Sequence, residues 1–343
     1  MRTNENQTEA GGLRISVVVP VRNEERSITK LLDALLGQTR PPDEIVITDG
    51  GSTDATVRMI ESYVGRDTPV RLIRTAAALP GRGRNLAASA ATCEWLAFID
   101  AGAHPDKNWL DQLARGVERD RAADVVYGGY EPVTDSLFTE CAALAYVPPA
   151  VELSGALIRP RSIISALMRR DVWRAVGGFP EHLRSAEDLL FMEKVDQAKF
   201  RSVYEPHALV YWDLQPSFWR TFKRFTTYSR NNIRAGLWRR WQAPVMFRYA
   251  ALLLLASLAV MLGRWWLLPV TGLWLLLLVA RAIVALRRNR SHLRGGLGRD
   301  ALRLPVLVSL IATLDAATII GGIDWILKDK LHLGNRPVGI GHT

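Results

Sequence analysis

Ile15–Val19 is a short apolar run rich in β-branched residues, and after it Ile28, Leu31, Leu32, Leu35 and Leu36 recur at helical spacing. The pattern predicts a strand followed by an amphipathic helix. The same alternation recurs in Glu44–Thr48 with Ala55–Tyr63, Val70–Arg74 with Asn85–Ala91, and Trp95–Ile99 with Trp109–Val117. Four strand–helix units predict an α/β domain with a mostly parallel sheet covered by helices. Near residue 244 the pattern changes. Val245–Leu262, Trp265–Leu286 and Leu304–Leu327 are long apolar runs. At ~1.5 Å per residue each can cross most of a ~30 Å hydrocarbon layer. Gly263-Arg264 forces the first two into a tight hairpin. The third carries Asp315 and Asp324, which must face protein or water. A buried helical bundle is the alternative for all three.

Composition sharpens this division. The 343 residues suggest about two domains, and Lys+Arg 44 against Asp+Glu 34 leaves a net charge of +10. With 48% hydrophobic residues, so charged a chain must segregate its apolar and polar stretches. The expected layout is a polar tail at 1–13, the α/β domain at 14–215, interfacial helices at 216–243, a membrane domain at 244–327 and a tail at 328–343. Between Pro216 and Trp241 aromatic and basic residues alternate, including Phe218, Trp219, Lys223, Arg224, Trp238, Arg239, Arg240 and Trp241. That mixture suits helices lying among lipid headgroups. A basic aromatic stripe would also suit stacked bases, but it abuts lipid-spanning runs, so no nucleic-acid partner is expected. Arg287, Arg288, Arg290, Arg294, Arg299 and Arg303 form a dense cationic stretch that the positive-inside rule places in the cytosol. The first twelve residues lack the apolar region of a secretory signal, so the α/β domain is expected to stay cytoplasmic, at the bacterial plasma membrane. Two cysteines, Cys93 and Cys141, provide neither a disulfide framework nor a Cys-x-x-Cys metal site.

Ligands of such sheets bind beyond the carboxyl ends of the strands. Pro20 to Glu24 follow the first strand, Asp49 to Asp54 the second, and Asp100-Ala-Gly the fourth. No Gly-x-Gly-x-x-Gly follows the first strand, which argues against a dinucleotide-dependent dehydrogenase. Asp49-Gly-Gly-Ser-Thr-Asp54 would by itself make a loop and helix cap.

Five motifs occur in order: Val17-Val-Val-Pro-Val-Arg-Asn-Glu24, Asp49-Gly-Gly-Ser-Thr-Asp54, Gly83-Arg-Asn85, Trp95-Leu-Ala-Phe-Ile-Asp-Ala101 and Ala186-Glu-Asp-Leu-Leu-Phe191. Together they resemble glycosyltransferase family 2, over roughly residues 14 to 230. The resemblance implies a GT-A, Rossmann-like fold, a nucleotide-sugar donor (UDP- or GDP-linked), inversion at the anomeric carbon and a divalent metal, Mg or Mn. It assigns Pro20, Asn23 and Glu24 to the nucleoside, with Glu24 accepting from ribose, and Asp49 to the nucleobase N–H. Carboxylates suit both tasks because they only accept hydrogen bonds. Arg84 and Asn85 would face the diphosphate, and Asp100 would touch ribose and metal. Here the chain departs from the family: Gly102 and Ala103 stand where further acids are expected, and Trp212 where relatives carry a metal-binding histidine. His104 or His207 could be drawn in, and one carboxylate plus the substrate's phosphates can hold a hard cation.

The family's Glu-Asp pair falls on Glu187 and Asp188. Asp188 would take the proton from the attacking acceptor hydroxyl, with Glu187 binding acceptor or orienting the site. A helix start favours acids without any chemistry, the bland alternative. Arg224 and Arg230 match a basic-aromatic stretch that would close over the diphosphate. The reading is therefore a membrane-bound inverting glycosyltransferase with a lipid or other amphiphilic acceptor. Rivals are a polymerising synthase, which three spans are too few to serve, and a non-catalytic scaffold with a lapsed metal site. Sugar, nucleotide, acceptor and oligomeric state are not legible in the sequence.

Overall fold

The computed structural model describes residues 12–65, 67–153, 156–288 and 296–331. Residues 1–11 of the polar tail, Arg290 and Arg294 of the cationic stretch, and the chain beyond 331 lie outside the described residues. The chain divides into two compact units that interleave in sequence. The first comprises Met1–Glu131, Arg161–His182 and Asp188–Trp212; the second comprises Pro132–Pro160, Leu183–Glu187 and Asp213–Thr343.

The first unit begins with the expected alternation: β1 (Ile15–Val21), α1 (Ile28–Leu36), β2 (Glu44–Asp49), α2 (Thr56–Glu61), β3 (Val70–Arg74), α3 (Pro80–Ala90) and β4 (Trp95–Phe98). β1 pairs parallel with β2 and β4, and β2 with β3. β2 and β4 are buried along their whole length, and β1 is buried at all but Pro20, as strands covered on both faces should be. α1 lays Ile28, Leu31, Leu32 and Leu35 against the sheet, the stripe its spacing predicts.

Then come β5 (Ala103–Pro105), α4 (Trp109–Arg119) and β6 (Val125–Val133). In the second unit these are followed by α5 (Leu137–Tyr146) and the hairpin β7–β8 (Val151–Leu153, Ala156–Ile158). β9 (Ala166–Arg169), α6 (Arg170–Ala175), α7 (Glu187–Gln197) and β10 (Ser202–Asp213) continue the chain. The sheet order is β3-β2-β1-β4-β9-β6-β10-β5. Its parallel part is the four strands that the alternation predicts. Beyond β4 it turns antiparallel: β9 against β4 and β6, and β10 against β5. β6 contains Gly128-Gly129, which weakens any strand signal in sequence. A Cβ on Gly128 would lie 2.0 Å from Ser165 Oγ, so the close approach of neighbouring strands demands glycine there.

The edge between β1, β2 and the loop after α3 is held by one buried carboxylate. Glu44 accepts from Ser16 Oγ at 2.7 Å and from the Thr92 hydroxyl at 2.8 Å, as well as from the Thr92 backbone N–H, and Arg71 lies 3.5 Å away. Burial opposes its charge most strongly, yet these donors together hold its pKa below the ordinary value.

In the second unit, α5 opens with a Ser136/Thr139 capping box. α8 (Phe218–Arg234), the short α9 (Trp238–Trp241), α10 (Ala243–Leu262), α11 (Leu267–Arg288) and α12 (Leu297–Trp325) follow, and α12 continues as a wider turn to Lys330. Three helices, Ala243–Leu262, Arg264–Arg288 and Leu297–Lys330, are long and apolar enough to cross a membrane. Arg299 and Arg303 sit in the first turns of α12, where both pair with Glu140 of α5. The cationic stretch is thus partly helical and partly neutralised.

Because the folded-state pKa of Glu44 is depressed, its contribution to stability is complete above the ordinary value of 4.5 and is lost as pH falls through the folded-state value. Glu44→Gln is expected to flatten the acid limb of a plot of melting temperature against pH for the full chain in detergent. An acid limb as steep as that of the wild type would show that another carboxylate carries it.

Candidate active site

The first unit gathers its polar residues at the carboxyl ends of β1, β2 and β4. Asn23 follows β1 at φ 55°, a left-handed conformation that asparagine tolerates better than most residues. Its side-chain oxygen accepts from Thr53 N at 2.8 Å, and its own N–H donates to Ser52 Oγ at 2.8 Å. The loops after β1 and β2 are therefore tied together. Glu24 accepts from Ser27 Oγ at 2.5 Å, while its N–H donates to Thr56 Oγ1 at 2.8 Å. Asp49, 3% exposed at the end of β2, accepts from the N–H groups of Gly51 and Ser52 at 3.1 Å. Two amides thus engage the carboxylate that the resemblance gives to a nucleobase, and they hold the loop. Asp54 accepts from both the backbone and the hydroxyl of Thr56. Burial raises its proton affinity, but these bonds and one from Glu25 N–H outweigh it and set its pKa low. Asp54 thus braces the turn that leads into α2.

Gly51, at φ +84°, is the one turn position in this loop that needs glycine on both counts, since a Cβ would come within 2.3 Å of Ala76 O. Gly83 of α3 approaches β1 closely enough that a Cβ would lie 3.1 Å from Pro20 Cβ. That approach brings the following residue, Arg84, under the sheet's carboxyl edge. Its guanidinium is 4% exposed, donates to Asp100 Oδ1 at 2.6 Å, and lies 5.4 Å from the ring centroid of Phe179. A nearly buried cation is thus balanced by a carboxylate whose side chain is 42% exposed and faces outward.

Asn85, next on α3, has its hydrogen-bonding capacity filled by protein. Its amide nitrogen donates to Phe179 O and Glu181 Oε1, both at 2.9 Å. Its oxygen accepts from Phe179 N at 2.9 Å and Trp173 Nε1 at 3.0 Å. An asparagine amide has two donors and two acceptor positions, and all four are engaged. Asn85 therefore fixes the turn around Phe179. Gly178 fits beneath it only as glycine, at φ +66° with Asn85 Oδ1 2.6 Å from any Cβ.

The clamp fixes Phe179, whose ring stacks on Phe191 of α7 at 3.9 Å and meets Phe98 of β4 edge-on at 5.4 Å. Phe191 lies one turn beyond Asp188 on α7, and Asp188 is half-buried in the helix's first turn. Ala186 just before it takes φ 68°, a left-handed conformation costly for alanine, which turns the chain into the helix. Asp100, Arg84 and the helix bearing Asp188 are thereby joined through one aromatic ring. A hollow of about 450 Å³ lined by Asn85, Trp173, Arg174, Gly177, Gly178 and Glu181 flanks the clamp and includes none of Asp49, Asp100 or Asp188.

Glu187, Arg224 and Arg230 belong to the second unit. Glu187 is buried there. Arg224 donates to Tyr228 Oη at 2.7 Å, and Arg230 makes two bonds to Asp329 at 2.6 and 3.1 Å. Trp173, Glu181 and the Gly177-Gly-Phe-Pro180 turn are not legible as site residues in the sequence. The paired glycines before an aromatic were the available signal.

Asp100 stands without a cluster of further protein ligands among the described residues. Its Oδ1 is taken by Arg84, and among the described residues no group of three or more His, Cys, Asp or Glu side chains could hold an ion. His104 sits in β5 opposite Tyr211, and Trp212 lies opposite Ala103 and stacks on Tyr130 at 5.6 Å. Trp212 is packed as a wall, the opposite of a ligand.

Residues 16–142 match the family model described as glycosyl transferase family 2. The Staphylococcus aureus poly(ribitol-phosphate) beta-N-acetylglucosaminyltransferase TarS is 32% identical over 195 residues, which are 53% of this chain and 32% of that protein. The Bacillus subtilis glycosyltransferase EpsJ is 28% identical over 193 residues, 52% of this chain and 54% of that protein. The chain thus spans from about a third to about a half of the length of these curated relatives. A mannosyltransferase from Pyrobaculum calidifontis, solved in complex with GDP-Man and Mn2+, shares the fold at 22% identity and a TM-score of 0.53. That likeness covers 93% of this chain and 89% of the other.

Replacing Asn85 by Asp removes both amide donors and sets a carboxylate against Phe179 O and Glu181. A loss of roughly 1–3 kcal/mol in stability is expected, read as a lower melting temperature of the full chain in detergent. A wild-type melting curve for Asn85→Asp would remove the clamp from the architecture of the site.

Proposed function

We propose that this chain, which carries a glycosyl transferase family 2 domain over residues 16–142, is an inverting, nucleotide-sugar-dependent glycosyltransferase. It works at the cytoplasmic face of the bacterial plasma membrane, and its acceptor is lipid-borne. The observation that carries this reading is the continuous packing from Asp100 and Arg84 through Phe179 to Phe191 on the helix that bears Asp188.

The donor is a UDP- or GDP-linked sugar, as in the relative solved with GDP-Man. Asn23, Glu24 and Asp49 form the nucleoside end, with the loop amides already ordered, and Pro20 packs against Gly83 to set the floor. Arg84, balanced by Asp100, supplies positive charge beneath the diphosphate. The acceptor oxygen attacks the anomeric carbon from the face opposite the nucleotide. The C–O bond to the diphosphate breaks as the new glycosidic bond forms, and the acceptor proton passes to Asp188. Glu187 orients the start of the same helix. Arg224 and Arg230 on the amphipathic helix α8 serve the donor side only after their partners, Tyr228 and Asp329, release them. These steps are those of the chain's own residues; a divalent cation would be held by Asp100 together with the donor's phosphates and would neutralise charge on the diphosphate.

A lipid acceptor is supported by the long apolar helices and by the surface before them. Trp219, Trp238 and Trp241 are exposed, with Lys223, Arg239 and Arg240 over their rings at 4.8, 5.6 and 5.4 Å. Amphipathic cation–aromatic pairs of this kind belong at the headgroup level.

Membranes containing the full chain are expected to transfer sugar from one of a panel of nucleotide sugars to extractable lipid, detected by mass analysis. Asp188→Asn should lower the rate by about 10²–10⁴-fold, the range of a lost general base, with UDP or GDP binding by calorimetry retained. Transfer by Asp188→Asn at the wild-type rate would refute the base. A ladder of products would mark a polymerising synthase instead. Absence of saturable binding of UDP and GDP, with Mn2+ and without it, would mark a scaffold.

A further inference from the structure

α10 and α11 contain no acidic residue, yet each carries an arginine inside its apolar run: Arg248 in the second turn of α10, and Arg281 two turns before the end of α11. Both guanidiniums converge on one carboxylate, Asp315 of α12, which is 2% exposed. Arg281 donates to it twice, at 2.5 and 3.0 Å. Tyr249 Oη donates at 3.2 Å and in turn accepts from Trp274 Nε1 at 3.3 Å. Arg248 reaches the same carboxylate through a single N–H at 3.4 Å.

Two positive charges therefore share one negative charge. The Arg281–Asp315 pair is complete in itself, so Arg248 is the surplus. Among the described residues Arg248 has no other acceptor, and its side chain is 28% exposed. The neighbouring acids of α12 and the turn after it are engaged elsewhere: Asp300 with Arg303, Asp324 with Lys328, and Asp329 with Arg230. Among the described residues no second protein anion reaches Arg248, which shares Asp315 with Arg281. A cation beside hydrocarbon that only shares its counter-ion is incompletely neutralised, and intramembrane cations favour full partners. At ~1.5 Å per residue Arg248 and Arg281 lie about 8–11 Å from their helix ends, within side-chain reach of the headgroups. The oxyanion abundant at that level is phosphate, which matches the guanidinium fork.

We propose that Arg248, supported by Arg281 and Tyr249, is a receptor for one phosphate group carried by a lipid. The chemistry is common to a bulk anionic phospholipid and to a lipid-phosphate acceptor. Only the second assignment rests on the transfer reaction proposed above. The test uses the full chain purified in a neutral detergent and native mass spectrometry with phosphatidylglycerol, a polyprenyl monophosphate or inorganic phosphate. The wild type should hold one lipid phosphate. Arg248→Gln, which leaves the Arg281–Asp315 pair intact, should weaken retention about tenfold or more, and Arg248→Lys should restore part of it. Arg58→Gln, at an exposed position of α2, should change nothing. Preference for the polyprenyl monophosphate identifies the acceptor's phosphate, and equal retention of both lipids identifies a resident phospholipid. Equal retention by wild type and a folded Arg248→Gln protein overturns the proposal, as does binding of inorganic phosphate as tight as that of either lipid.

A different observation bears on α12 itself. Its most extensive neighbour is α8. Ser229 Oγ donates to Thr318 O at 2.8 Å, and a Cβ on Gly321 would lie 2.5 Å from Thr226 O and Ser229 Cβ. Arg230 and Arg234 both reach Asp329, at 2.6 and 3.8 Å. The two helices thus run side by side through their C-terminal halves. α8 carries Arg220, Lys223, Arg224, Arg230 and Arg234 within 17 residues, so it does not cross hydrocarbon. A helix tied along it shares its depth.

We infer that α12 lies on the membrane surface with α8, leaving α10 and α11 as the spans, so that Leu331 is on the same side of the bilayer as α8. Single cysteines at Arg220, Trp265 and Leu331 in the full chain, labelled with a membrane-impermeant maleimide, test this. The native Cys93 and Cys141 are buried. Positions 220 and 331 should label from one side, and 265, in the turn between α10 and α11, from the other. Labelling of 331 together with 265 would make α12 a span and end the inference.

Discussion

A single side-chain amide organises the candidate site of the first unit. Asn85 holds the backbone of Phe179 by both its N–H and its C=O, and takes Trp173 and Glu181 with its remaining positions. Everything that follows is a consequence of where Phe179 is thereby put. Its ring contacts the end of β4, the guanidinium of Arg84 and the inner face of α7 at once. Residues on three separate stretches of sequence acquire a common reference point. A directional, fully satisfied hydrogen-bond network does this better than apolar packing alone, because each bond has a preferred direction and no alternative partner.

The Arg84–Asp100 pair shows how the same region handles charge. A guanidinium that is nearly buried needs a counter-ion, and Asp100 supplies it from the partly exposed end of β4. The acids that could have accompanied Asp100 are replaced by Gly102 and Ala103, and Trp212 closes the neighbouring strand by stacking on Tyr130. Arg84, fixed on a helix, places positive charge near the strand ends. This is a rigid arrangement, since Gly83 brings that helix into contact with β1.

Pairing also governs the second unit. Glu140 gathers Arg299 and Arg303 onto α5, Asp329 ties Arg230 and Arg234 of α8 to the turn after α12, and Asp315 gathers Arg248 and Arg281. Each acid joins different helices, so the charges set the register of elements whose apolar faces are otherwise interchangeable. Where lipid tails are as apolar as leucine, such polar contacts and small residues such as Gly321 define which helix lies beside which.

The amino-acid pattern alone determined the four parallel strands with their helices and the three long apolar helices. Each follows from a local period, 2 or 3.6 residues, or from run length. It also located Asp49, Asp100 and Asp188 at strand ends and at a helix start, because short acidic segments between periodic runs stand out. The antiparallel half of the sheet was not legible, since the glycines of β6 answer to the approach of Ser165 and Ala208 from distant segments. Nor was the task of Asn85: its four partners lie 88 to 96 residues away or on the turn that they define. The same holds for Arg230, whose partner Asp329 is 99 residues distant. Local period reports on a residue's own helix or strand, whereas hydrogen-bond partners and counter-ions are chosen by chain topology, and only the tertiary structure decided those.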